Sequence, residues 1–325
     1  RAFGDAAAGR GNIDIVGSSL SGRNVALEAA RDLTLRSSQD TSTLDTSTSA
    51  SGGSVGVAVG VGISGVPVFA GVYARGANAR GSEDGQSLAN VETLVSAREQ
   101  LTLASGRDTT LAGAIASGQS VAAIVGRNLL LQSQQDVETY RARNRSGSFN
   151  VLISPSGAVG GSVSYLSGRT DSDYASVNEQ TAIRAGSGGF AIDVRENTTL
   201  AGAVIDSTAA PDRNRLSTGT LSFSNIDNTA EYSSSVVGGT VGMATGRTPF
   251  ALPAVGTGGA QSSQSTTVAA IAPGTIQIGN PQAQTQDLAA LSRTPGGANA
   301  ALERIFDKKT VQEQQELATV FGQEA

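Results

Sequence analysis

An internal repeat is the feature that most constrains how this chain can fold. The segment Gly17–Asp40 aligns without a gap to Gly113–Asp136, and Arg107–Ser117 is matched again by Glu196–Ser207. Positions shared by the first two segments include Gly17/Gly113, Gly22/Gly118, Val25/Val121, Arg31/Arg127, Leu33/Leu129, Leu35/Leu131, Gln39/Gln135 and Asp40/Asp136. A chain that repeats in this way folds as an array of similar units that stack on one another.

Apolar residues inside the repeats come in pairs two positions apart, such as Leu101 and Leu103, and turn residues separate the pairs. This spacing is typical of short strands. A unit that recurs roughly every 20 residues cannot bury its apolar side alone, so neighbouring coils stack about 4.8 Å apart. We therefore predict an all-β, right-handed parallel β-helix, or solenoid; a flat antiparallel sandwich is the alternative. The residues predicted to face its core are Leu33, Leu35, Leu103, Leu111, Val121, Leu129, Leu131 and Leu200.

The composition is consistent with a thin core and excludes several kinds of functional site. Glycine contributes 41 residues and aromatic residues only 4%, whereas large aromatic side chains dominate the burial energy of compact cores. The chain has no cysteine and no histidine, which removes disulfides, thiolate metal sites and the commonest zinc ligand. A net charge of −5 gives no reason to expect a nucleic-acid partner.

The repeats are interrupted by excursions over residues 41–90, 137–181 and 215–267. Each holds alternating strands with glycine or proline turns, which predicts hairpins that project from the solenoid. We place the repeat β-helix at residues 1–278. Residues 279–325 change pattern: Gln284–Arg293 and Gly297–Phe306 have helical spacing, and Thr310 with Glu313 is spaced as a capping box. This predicts a short helical module. Its plain structural interpretation is a cap that packs on the last coil of the solenoid.

The segment Gly53–Gly76 carries no charge before Arg75. Its apolar residues alternate with small ones at a period of two, and helix-breaking residues are frequent, so it predicts a hairpin and not a transmembrane helix. One interpretation is that the hairpin packs against the solenoid; the other is that it meets a membrane together with further hairpins, because unpaired strand edges are costly in lipid. The residues predicted to face the membrane are Val55, Val57, Val59, Val61, Ile63, Val66, Val68 and Val72.

Motifs for catalysis are weak. The string Gly60–Gly65 matches a dinucleotide-binding pattern, but Val, Pro, Val and Phe follow it instead of a helix start. Ser54 lies in a nucleophile-elbow string but has no histidine base. Asp171 and Asp173 could act as an acid and a base, although solvated carboxylates are the commoner reading. We predict no catalytic, cofactor-binding or metal-binding residues. The basic cluster Tyr140–Gly147 either solubilises a strand end or contacts lipid headgroups.

Three segments resemble a known family. Arg107–Asp136 resembles the haemagglutinin-type repeats of filamentous-haemagglutinin-like exoproteins. Asn214–Ser235 is similar to a segment of contact-dependent growth inhibition effectors, the CdiA proteins. Gly297–Ala325 looks like the helical segment that precedes the pretoxin and toxin regions of those effectors.

The start of the chain, Arg1–Gly11, resembles neither an initiation site nor a signal peptide, so we expect a piece of a longer protein.

The resemblance implies a function that the residues alone do not. Such effectors are exported by a two-partner (type V) secretion transporter and displayed on the cell surface. Their toxin-proximal repeat region is associated with moving a C-terminal toxin across the outer membrane of the target cell. The resemblance therefore implies a non-enzymatic delivery region, whose partners are the transporter, neighbouring regions with the toxin, and the target-cell outer membrane. The alternative is an adhesive or spacer stalk.

Overall fold

A computed structural model describes residues 11–61, 67–311 and 313, and most of this part of the chain is β-strand. The strands of the solenoid are β1 (Ile13–Val16), β2 (Ser19–Gly22), β3 (Val25–Ala29), β4 (Leu33–Arg36), β7 (Thr93–Ala97), β8 (Gln100–Ser105), β9 (Thr109–Ala112), β10 (Ala114–Val125), β11 (Leu129–Gln132), β14 (Ala182–Ala201), β15 (Val204–Ser207), β16 (Arg215–Ser224), β19 (Ala270–Ile271) and β20 (Thr275–Ile278). A second sheet contains β5 (Ser38–Val61), β6 (Pro67–Val91), β12 (Asp136–Ile153), β13 (Val159–Ser176), β17 (Ile226–Ala244) and β18 (Phe250–Thr267). Short 3₁₀ turns occur at Pro211–Arg213 and Leu288–Ala290.

The solenoid strands pair in parallel in columns, and one turn of the chain visits each column once. The first column is β1-β4-β9-β11-β14-β16, the second is β2-β7-β10-β14-β15-β19, and the third is β3-β8-β10-β14-β16-β20. The long strands β10, β14 and β16 bend at corners and serve more than one column. This is a parallel β-helix, so the predicted all-β fold class is confirmed.

One core runs through the solenoid, because side chains from all columns point inward and form one cluster. In the first column, Leu35, Leu111, Leu131 and Leu200 stack directly above one another. Each of these four side chains is 0% exposed, and the other residues predicted to face the core are at most 2% exposed. Repetition of the same apolar position in each coil therefore produces a continuous leucine ladder.

The hairpins all leave the solenoid at one corner, between the first and second columns. They belong to alternate coils. The coils without a hairpin turn at this corner on a glycine with left-handed backbone: Gly17, Gly113 and Gly202 have φ of 49°, 65° and 55°. Only glycine adopts this conformation without steric cost. The glycine that the repeats share at positions 17 and 113 thus marks a coil without a hairpin.

This alternation explains why the hairpins form one sheet. Two stacked coils rise by about 9.6 Å, which is the width of a two-stranded hairpin at the ordinary strand spacing. Successive hairpins therefore lie edge to edge, and in the described chain they pair in the order β18-β17-β13-β12-β6-β5, antiparallel throughout. We call this layer the hairpin sheet.

Substitution of Gly113 by Ala is expected to destabilise the chain by about 2 kcal/mol, from backbone strain and local crowding. The added Cβ would lie 2.6 Å from Oγ of Ser37, at the base of the first hairpin. Gly157→Ala is the matched control: Gly157 has a φ of 79° but nothing within 4 Å of the position of an added Cβ. The control should lose about 1 kcal/mol from strain alone. Urea unfolding measures both; an equal loss would contradict close packing at the corner.

The structure differs from the sequence prediction at two places. The third excursion begins at Ile226 and not at residue 215, because Arg215–Ser224 pairs with β14 and β20 as part of the solenoid. Beyond Ile278, the segments predicted to be helical are mostly turns and irregular backbone, and a helix begins only at Lys308. Their polar groups are satisfied by the preceding coil instead: Gln284, for example, bonds the backbone of Leu221 through both side-chain atoms.

Candidate functional site

The outer end of the hairpin sheet, farthest from the solenoid, is apolar on one face. Residues directly opposite each other across an antiparallel ladder share a face. Three successive rows on this face consist of valine, isoleucine, phenylalanine, methionine and small residues. The large side chains of this apolar face are Val55, Val57, Val72, Phe149, Val151, Ile153, Val159, Val163, Val241 and Met243.

Nine of these ten side chains are exposed to solvent, and Val151 is half-buried. Val55 is 83% exposed, and Val57, Val163 and Met243 are about 60% exposed. Isolated exposed apolar residues are ordinary, but a contiguous patch of this kind marks an interaction surface. The hairpin therefore does not pack its valine face against the solenoid, and that interpretation of the sequence is wrong.

The eight residues predicted to face a membrane are only partly described. Val55, Val57 and Val59 share a face of β5 by their spacing, and Val59 is 64% exposed. Val72 lies opposite Val57 on the same face. Val61 and Val68 lie in the paired strands, and their side chains are not described. Ile63 and Val66 lie outside the described residues.

At the same outer end of the hairpin sheet, the opposite face is more polar. Glycine, serine and asparagine alternate there with a few larger residues such as Leu152 and Phe250. Ser54, the candidate nucleophile, lies on this face and accepts a hydrogen bond of 2.8 Å from Nε of Arg75. Gly62–Gly65 of the dinucleotide-binding string lies outside the described residues. In the described ranges, no group of three or more acidic residues is placed to hold a metal ion.

Closer to the solenoid, the apolar face gives way to arginines and then to mixed charges. Arg141 contacts Asp171 at 3.4 Å and Asp173 at 2.8 Å, and Arg169 also pairs with Asp171. The hydrogen bond to Asp171 raises the pKa of Arg169. Asp171 and Asp173 are thus ion-pair partners of arginine side chains, and this geometry does not support an acid–base pair.

The tail of the chain crosses the inner half of the opposite face. Phe306 packs between the rings of Tyr140 and Tyr232, at centroid distances of 5.0 and 6.1 Å. Lys308 forms an ion pair with Glu83. Burial and the charge of Glu83 raise the pKa of Tyr140, and the hydrogen bond to Glu83 raises the pKa of Lys308. The described part of the tail therefore contacts every hairpin on the side opposite the apolar face.

The comparisons with known proteins identify the family. A model of the haemagglutinin repeat matches residues 5–147. The chain is 42% identical to a deoxyribonuclease CdiA of Dickeya dadantii over 97% of its own length, and 42% identical to a tRNA nuclease CdiA of Escherichia coli O6:K15:H31 over 96%. The chain is a CdiA-type haemagglutinin-repeat region. A deoxyribonuclease CdiA of Yersinia pseudotuberculosis is 41% identical over 98% of the chain.

The CdiA-type region is a small part of these relatives. It spans 10% of the Dickeya and Escherichia proteins and 30% of the Yersinia protein. No solved structure matches the chain significantly. Within the described part of this CdiA-type region, no helix is long and apolar enough to cross a membrane.

Sequence reasoning found the valines of the first hairpin but missed the rest of the apolar face. Phe149, Val163 and Val241 lie on different hairpins and meet only through the antiparallel register. Each hairpin alone carries a signal, since Phe149, Val151 and Ile153 alternate along β12. What no local pattern contains is that the hairpins align side by side.

Proposed function

We propose that this CdiA-type region is the non-catalytic delivery part of a secreted, surface-displayed exoprotein. In this role it helps to move a C-terminal toxin across the outer membrane of a target cell. The observation that carries the proposal is the exposed apolar face of the hairpin sheet, which fits contact with lipid. The partners are the target-cell outer membrane, the neighbouring regions that include the toxin, and the two-partner secretion transporter.

The names of the relatives support a non-catalytic role. Two relatives with the same 42% identity to this chain are named for different activities, one as a deoxyribonuclease and one as a tRNA nuclease. A region that is equally similar in both is not expected to determine which nucleic acid is cut. The nuclease activity would then belong to a part of those proteins outside the tenth of their length that this chain spans.

The dimensions of the apolar face favour contact with one leaflet in this conformation. From Phe149 to Ile153 the apolar rows extend about 14 Å along the strand, at about 3.4 Å per residue. The hydrocarbon core of a bilayer is about 30 Å thick. In the described part of the chain, β5 and β18 are the edge strands of this sheet, and unpaired backbone groups on such edges are costly in lipid. A face laid on the membrane leaves these edges near the headgroups.

The test is an exoprotein whose solenoid is intact but whose hairpins are removed. The register aligns Arg36 with Ala112 and Thr93 with Ala114, so a single glycine in place of residues 37–92 reproduces the corner at Gly113. The other hairpins are replaced in the same way by the glycine corner of the preceding coil. We expect surface display and cell–cell binding to persist and toxin entry into target cells to be lost.

A spacer or adhesive stalk is the second candidate, and the continuous parallel columns of the solenoid favour it. The same variant separates the two functions. Toxin entry that survives removal of the hairpins would leave the region as a spacer. Loss of cell–cell binding, with normal display, would indicate an adhesive surface on the hairpins.

A further inference from the structure

A shallow groove of about 700 Å³ lies on the hairpin sheet, at the boundary between the apolar face and the arginines. Phe149 and Val163 line its outer part, and Arg80 and Arg145 lie at its inner end. The floor is open because Gly147 stands between Arg145 and Phe149 on β12 and contributes no side chain. The groove is therefore amphipathic, with cations at one end and apolar walls toward the outer end of the sheet.

The arginines are arranged at an energetic cost. Arg145 is paired directly with Arg80 across the ladder, and Arg143 is paired directly with Arg169. Like charges directly opposite each other on neighbouring strands are destabilising. Arg169 forms an ion pair with Asp171. In the described part of the chain, no carboxylate forms an ion pair with Arg80, Arg143 or Arg145. An anion between them would remove this repulsion.

The geometry points to a lipid phosphate as that anion. Guanidinium groups bind phosphate oxygens in a bidentate manner. We propose that Arg80 and Arg145 bind the headgroup phosphate of an anionic lipid, whose acyl chain lies along Phe149 toward the apolar face. This inference rests on the proposed function and deepens it, because it fixes which lipid chemistry the hairpin sheet recognises and at which depth the sheet sits.

The first experiment measures partition of the full chain onto phosphatidylcholine vesicles with and without phosphatidylglycerol, by co-sedimentation. The double variant Arg80→Gln/Arg145→Gln should bind the anionic vesicles about 25-fold more weakly, at about fivefold per arginine, and the neutral vesicles as before. Arg98→Gln/Arg195→Gln is the matched control, since it removes two exposed arginines of the solenoid and should retain wild-type partition. Equal loss in both double variants would overturn the site.

A groove-filling variant separates a site from general attraction. Gly147 has an ordinary φ, and an added Cβ would lie 3.3 Å from Oδ1 of Asn78, a side chain that can move. Gly147→Val keeps both arginines and adds apolar surface. A built groove predicts weaker binding to anionic vesicles; unchanged or tighter binding would overturn it.

Two further outcomes distinguish this inference from the proposed function. If the wild type binds neutral and anionic vesicles equally, the arginine site is wrong while the apolar face retains its role. If it binds neither, the proposed function loses its support together with the site. Inorganic phosphate is added as a competitor: complete release from anionic vesicles at matched ionic strength would identify a small phosphate as the ligand and overturn the lipid proposal.

Discussion

Truncation of Leu131 to Ala is expected to lower the free energy of unfolding by about 2–5 kcal/mol, the range for a buried leucine that leaves a cavity. Leu131 is 0% exposed and lies between Leu111 and Leu200 in the leucine ladder. The strands above and below are each bonded to their own neighbours, so the coils cannot close around the lost volume. Chemical unfolding of the full chain, followed by circular dichroism, measures the loss.

The control for this prediction is Leu130→Ala. Leu130 is the next residue on the same strand, and its side chain points away from the core and is half-buried. The same chemical change should then cost less than about 1 kcal/mol, as for surface substitutions away from special features. Equal losses for the two variants would contradict the register of the first column.

The solenoid could be predicted because its determinants are local and repeated. Each coil contributes apolar residues at the same positions, and stacking identical positions is the arrangement that buries all of them at once. The alignment of Leu35 with Leu131 in the sequence predicts that they lie in equivalent positions of one column, and in the structure only Leu111 separates them. The shared glycine at positions 17 and 113 is similarly explained by one corner with φ above zero.

The hairpin sheet could be predicted only in part. Period-two alternation indicated hairpins, but their alignment depends on two quantities that no single segment contains: which coils carry a hairpin, and at which corner. The start of the third hairpin was missed because Leu216 and Leu221, which belong to the solenoid core, alternate with polar residues as hairpin residues do. In the tail, Phe306 lies on Tyr140, and this tertiary contact replaces the helix that its spacing predicted.

The candidate site, too, could be predicted from the sequence only in part. The first hairpin and the basic cluster Tyr140–Gly147 were recognisable as segments that could meet lipid. The pairing of Arg145 with Arg80 was not, because the two residues are 65 positions apart and are brought together by the register of β12 with β6. Charge repulsion across a strand pair can be judged only when the partner strand is known.

Substitution of Val57 by Arg is expected to abolish toxin delivery without unfolding the chain. Val57 is 59% exposed, so arginine has room in the folded state and should change stability by less than about 0.5 kcal/mol. On a lipid-contacting face the same arginine costs about 2–4 kcal/mol at mid-depth, by analogy with strands that face lipid. Partition onto vesicles should fall roughly 30-fold or more, by the affinity equivalent of 2 kcal/mol.

The matched control is Ala58→Arg, one residue along β5 and on the opposite face of the sheet. It adds the same charge to the same edge strand, opposite Gly71, but directs it away from the membrane. Both variants are first checked for secretion and for thermal unfolding, and toxin entry into target cells is then compared. The proposal requires delivery by Ala58→Arg and none by Val57→Arg, because the proposed lipid contact is made by the apolar face and not by the more polar opposite face. Equal delivery by the two folded variants would show that this face does not contact lipid during toxin entry.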